Sequence, residues 1–113
     1  MCNGNQAIAF LGEVYNECHS LFGDSMKDAY LYGSYARGDY HEESDIDILL
    51  TVNLEQAAIS ELRNEVGMIA GNLSLKYDVT VSVTIKPFAW FRQYADVLPY
   101  YKSVLKEGIH YAS

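Results

Sequence analysis

The stretch from Gly33 to Leu50, GSYARGDYHEESDIDILL, decides how the chain is read. A glycine–serine pair ends one short aromatic run, and Asp45 and Asp47 open another run that is otherwise apolar. Along a strand the side chains alternate, so Ile46, Ile48, Leu50 and Val52 point one way. Asp45, Asp47, Leu49 and Thr51 point the other way. Two carboxylates at i and i+2 therefore project together, their Cα atoms roughly 6.5 to 7 Å apart at a rise of about 3.3 Å per residue. Unpaired charge entering an apolar run is costly. A divalent cation offsets the repulsion, and Mg2+ suits such a pair because it takes one or two carboxylates plus waters and phosphate oxygens.

Working outward, AYLYGS (29–34) is short, aromatic and β-prone, and stops at Gly33. SYARG (34–38) has room for one helical turn before Gly38 breaks it. A glycine allows backbone to approach a ligand closely, and the amides opening a helical turn form a small anion cradle. Ser34 adds a hydroxyl, and Arg37 and Lys76 are candidate positive charges. Arg37 is read equally well as a local partner of Asp39 or Glu42, since a guanidinium fork suits either anion. Tyr35 and Tyr40 flank the turn as core residues or as contacts to a base or ribose.

The remaining elements follow from periodicity. Ile8, Leu11, Tyr15, Cys18 and Phe22 form one stripe of a helix over 6–22, ended by Gly23 and Asp24. Asn53, with Gln56 three residues on, reads as the capped start of a helix whose stripe is Ile59, Leu62, Val66 and Ile69 and whose end is Gly71. KYDVTVSVTI (76–85) alternates regularly and is expected as a strand, with Asp78, Thr80, Ser82 and Thr84 on its polar face. Asp78 is thereby the third candidate acid, and three carboxylates on one side of a sheet suit two ions about 3.5 to 4 Å apart. A helix is expected to begin at Pro87, and a last one to run from Pro99 to Lys106 before Gly108. The expected fold is a single α/β domain over 1–113, a three-stranded mixed core sheet flanked by helices.

Composition bounds the function. The chain has 113 residues, half of them apolar, with 15 acids against 8 bases and a formal charge of -7. That balance argues against direct nucleic-acid binding, which needs clustered Lys and Arg, but not against a phosphate-bearing small ligand with its metal. Cys2 and Cys18 make no disulfide framework, and no apolar run is long enough for a span. A cytoplasmic protein with reduced thiols is expected. A calcium loop is disfavoured by the apolar Ile48, Leu49 and Leu50 after the acids, and no Gly-Lys-Ser/Thr marks a Walker loop. Phe88, Trp90, Phe91, Tyr94, Tyr100 and Tyr101 are either core or a contact surface.

Gly33-Ser34, ten intervening residues and Asp45-x-Asp47 resemble the signature of the DNA polymerase β-like nucleotidyltransferases, and the longer GSYARGDYHEESDIDIL is similar to the minimal nucleotidyltransferases of prokaryotes. The resemblance implies ATP as substrate and two Mg2+ ions, with Asp45 and Asp47 as ligands of both and Asp78 completing the catalytic ion. It implies that Gly33 and Ser34, with Arg37 and Ser44, bind the nucleotide. It also implies a partner. Minimal proteins of this kind resemble antitoxins paired with a helical HEPN-type toxin, neutralised by AMP placed on a tyrosine hydroxyl. Two rivals stay open: a binding module that inhibits by complex formation alone, and a subunit that nucleotidylates a small molecule such as an aminoglycoside.

Overall fold

The structure, a computed structural model, describes residues 3–111; Cys2 lies outside the described residues. Asn3 opens the first helix, α1 (Gly4–Phe22), with a capping box: its side chain accepts from the Gln6 amide at 2.8 Å and its own amide donates to Gln6 Oε1 at 2.9 Å. The buried stripe of α1 is Ala7, Phe10, Leu11, Val14, Tyr15, Cys18 and Phe22, while Ile8 is 47% exposed, one position off the expected face. A short 3-10 turn (Gly23–Ser25) leads into β1 (Met26–Tyr32), and Gly33 turns the chain into a single helical turn, α2 (Ser34–Arg37).

Strand β2 (Ile46–Val52) pairs antiparallel with β1, placing Tyr32 opposite Asp47 and Tyr30 opposite Leu49. The expected helix after it is two pieces, α3 (Gln56–Glu61) and α4 (Arg63–Tyr77). Glu55 rather than Asn53 holds the capping position, with no side-chain cap. Gly71 does not end the helix; α4 continues two further turns. Strand β3 (Val81–Pro87) then returns parallel to β2, with Ile46 beside Val81, Asp47 beside Ser82 and Leu49 beside Thr84. Pro87 ends it and precedes α5 (Phe88–Tyr94), and α6 (Pro99–Glu107) begins with proline at its first position.

Among the described residues the sheet has four strands, not three. Strand β4 (Ile109–Tyr111) pairs antiparallel with the outer side of β1, giving the order β3-β2-β1-β4 and a mixed sheet. Ile46, Ile48, Leu50 and Val52 are wholly buried on one face, in a cluster with α1, Val66 and Leu73 of α4, and the partly buried Val81, Val83 and Ile85. Leu49 is equally buried, but on the other face, with Phe91 of α5 and Tyr101 and Val104 of α6. Helices cover both faces, and Asp47 shares the Leu49 side. The exposed Asp45 and half-buried Asp47 thus stand at the start of β2, before the buried Leu49.

Candidate functional site

Gly33 is glycine for two reasons. Its φ of 76° and ψ of -154° are a conformation that side-chain-bearing residues rarely adopt. A Cβ there would also collide with Asp47 Oδ2. The turn that opens α2 is thus built directly against the second aspartate, and the Gly33 carbonyl accepts from the amides of Ala36 and Arg37, both at 3.1 Å. Gly38 then closes the turn at φ 87°, its amide donating to Ser34 O at 2.9 Å.

The loop between α2 and β2 is shaped by Ser44. Its Oγ accepts from the His41 amide at 2.8 Å, and its own amide donates to His41 O at 3.0 Å. That closed turn delivers Asp45, which is exposed, and Asp47, which is half-buried. Burial raises the Asp47 carboxyl above the usual carboxylate range, and the negative charge of Asp45 raises it further; only Arg37 acts against them. Arg37 is itself exposed and already engaged, with Asp39 at 3.2 Å and Glu107 at 3.5 Å. The local pairing of Arg37 with Asp39 is therefore present; Glu42 is not its partner, and Glu107 arrives from α6 instead.

These observations fit a cation. Two carboxylates stand close enough to repel, one is partly desolvated, and the Arg37 guanidinium that acts on Asp47 is shared with two other acids. The pair of Asp45 and Asp47 has the donor chemistry for one divalent ion, with Ser34 beside it on the glycine turn.

Asp78 does not join them. It lies outside β3 as the residue that ends α4, in the left-handed conformation (φ 52°, ψ 53°) that aspartate tolerates better than most residues. Helix α4 packs on the face of the sheet opposite to Asp47, and Val79, next in the chain, packs into that same core. Among the described residues no three His, Cys, Asp or Glu side chains gather closely enough to hold a metal ion. The expected two-ion cluster of three acids is absent. Lys76 is likewise elsewhere, bound to Glu13 of α1 at 2.6 Å.

Other residues at the site carried no sequence signal. Tyr32 faces Asp47 across the β1–β2 pair, and its hydroxyl accepts from Tyr100 at 2.6 Å and bonds Thr84. Burial, the Tyr100 phenol and the Asp47 charge all push the Tyr32 phenol well above its ordinary value. The first flanking tyrosine, Tyr35, is buried and stacked on Tyr40 at 4.4 Å, and the Tyr40 hydroxyl accepts from the Gly4 amide at 3.0 Å. Both belong to the packing. A groove of about 600 Å³ runs between β3 and α4, lined by Arg63, Gly67, Gly71, Val83 and Lys86 among others, but by none of Gly33, Ser34, Asp45 or Asp47.

The nucleotidyltransferase domain family matches residues 11–110. MJ0141 of Methanocaldococcus jannaschii, an inferred protein adenylyltransferase, is 38% identical over 80 residues, 71% of this chain and 79% of its own. MJ0604 of the same organism, named likewise, is 33% identical over 96 residues, 85% and 88% of the two chains. A toxin–antitoxin crystal structure with AMP-PNP superposes with a TM-score of 0.54 at 22% identity, over 98% of this chain and 74% of that one. A mutant MntA–HpeT toxin–antitoxin structure gives 0.51 at 19% identity over 98% and 74%. At such identities the structural likeness is one of fold. A glycine turn seated against a paired-aspartate strand, and a sequence match over nearly the whole chain, lead to one conclusion: the chain belongs to the nucleotidyltransferase domain family.

Proposed function

We propose that this nucleotidyltransferase moves AMP from ATP to a hydroxyl of a partner protein, a tyrosine of a helical HEPN-type toxin, and so acts as the antitoxin of a cytoplasmic pair. The observation that supports this reading is the close approach of Gly33 to Asp47, where a Cβ would strike the carboxylate, so that the glycine turn and the mutually repelling acid pair lie side by side. The names of the two archaeal relatives and the toxin–antitoxin context of the like-folded structures support it. Among the described residues no helix is long and apolar enough to cross a membrane.

Gly33 and Ser34 hold the β- and γ-phosphates through backbone and hydroxyl. Arg37 exchanges its surface partners Asp39 and Glu107 for phosphate oxygen, a small loss because exposed ion pairs are weak. Ser44 fixes the loop that presents Asp45. Asp45 and Asp47 would hold Mg2+, which when bound would draw charge from the phosphates and so favour attack at the α-phosphorus. The acceptor oxygen forms a bond to that phosphorus, the bond to the β-phosphate bridging oxygen breaks, pyrophosphate leaves, and the acceptor proton is released.

Inhibition by complex formation alone is the second reading, favoured by the missing third carboxylate. One experiment separates them. Incubate the chain with α-labelled ATP, Mg2+ and its co-purified partner, then repeat with Asp45→Asn and Asp47→Asn. Label on the partner that disappears in both variants supports transfer; neutralisation that persists in them supports simple binding.

A further inference from the structure

In a parallel pair, laterally matched residues point to the same face about 4.8 Å apart. The neighbour of Asp47 on β3 is Ser82, exposed at the mouth of the site. One pair further along, Thr84 lies beside the buried Leu49 and bonds the Tyr32 hydroxyl. One position before the register begins, Thr80 gives its carbonyl to the Ile46 amide at 2.8 Å. No side chain that β3 sets beside the acid pair is therefore a carboxylate. Asp78, the nearest acid in sequence, is committed to ending α4.

Resting on the metal–nucleotide reading above, we infer that Ser82 occupies the place a third carboxylate would take, so that this chain alone provides ligands for one divalent ion rather than two. Charge agrees with geometry. One dication neutralises Asp45 and Asp47; a second would have only a neutral hydroxyl from β3 to receive it. The positive charge of Arg37, which already acts on Asp47, would oppose a second ion. By the same geometry, β3 offers no carboxylate to take the proton of an incoming hydroxyl.

The test counts ions. Equilibrium dialysis with saturating Mn2+ and AMP-PNP, with metal and nucleotide assayed on both sides of the membrane, is expected to give one Mn2+ and one nucleotide per wild-type chain. Asp78→Asn and Ser82→Asn are expected to keep one. Ser82→Asp, at an exposed position that tolerates the change, is expected to bind two, with affinity for the second ion at least tenfold above wild type. Two ions on the wild-type chain, loss of an ion in Asp78→Asn, or a folded Ser82→Asp chain that still binds one would each overturn the inference while leaving the nucleotidyltransferase reading in place. No nucleotide and no Mn2+ on the wild-type chain would remove both.

Discussion

Replacing Gly33 by alanine perturbs the fold and the site through one added methyl group. At φ 76° and ψ -154° the backbone lies where any L residue is strained, which costs about 1–3 kcal/mol. For a chain of this length each kcal/mol lowers the midpoint of thermal unfolding by about 4 °C, so the strain alone predicts a fall of about 4–12 °C. Gly38→Ala is the control. Its φ is 87° and ψ 6°, but a Cβ there meets nothing within 4 Å, so only about 1–2 kcal/mol of left-handed strain applies. Gly33→Ala must in addition move the Asp47 carboxylate, which a Cβ would strike. The two effects separate in a cycle with Asp47→Ala. The double variant is expected to recover the collision component, about 0.5–3 kcal/mol of coupling for residues in contact, but not the backbone strain. Differential scanning calorimetry reads the stability, and titration of Mn2+ and AMP-PNP reads the site. A Gly33→Ala chain that melts no lower than Gly38→Ala, shows no coupling to position 47 and binds nucleotide as wild type does would refute the reasoning.

Asp47→Asn is expected to stabilise the metal-free chain at pH 7. A carboxyl raised in the folded state contributes stability that is complete below its unfolded value, about 3.9, and is lost as pH rises through the raised one. The gap in melting temperature between variant and wild type should therefore shrink below about pH 4. Its size at neutral pH is about 0.5–1 kcal/mol, the repulsion of two charges about 7 Å apart under solvent screening. Lys76→Ala breaks the pair with Glu13 and the contact of Nζ over the Tyr77 ring at 5.7 Å, so urea unfolding should show a loss of about 0.5–2 kcal/mol and calorimetry an unchanged nucleotide affinity. Cys18 is wholly buried and burial pushes its thiol up to about 12. Peptide mass mapping should find it unalkylated by iodoacetamide at pH 8 until the chain is unfolded.

Much of the fold is legible because its signals are local. The alternation through Ile46–Val52 fixes which side of β2 carries the acids, whereas Gly33 reads in the sequence as room for a ligand and the clearance it gives Asp47 is seen only in the fold. The misreadings share one cause, which is that local pattern cannot see tertiary partners. Tyr77-Asp78-Val79-Thr80 continues the apolar–polar alternation of β3 backwards, yet Tyr77 is the last residue of α4 and Asp78 its left-handed stop. Gly71 resembles a helix end, but packing of Leu73 and Tyr77 against the core carries α4 onward. Strand β4 is three residues long, too short to show a period. The contacts of Arg37 with Glu107 and Tyr32 with Tyr100 span 70 and 68 residues, and nothing in the sequence announces them. Ser82 was visible as a polar strand residue, but its place beside Asp47 is a matter of register.

The most direct examination of the site is a crystal structure of the chain grown with Mn2+ and AMP-PNP, phased so that manganese is located by its anomalous signal. The expected map has manganese between the Asp45 and Asp47 carboxylates and the nucleotide phosphates over Gly33 and Ser34. Manganese held at Asp78, or a nucleotide seated in the groove between β3 and α4 with the aspartate pair free of metal, would contradict it.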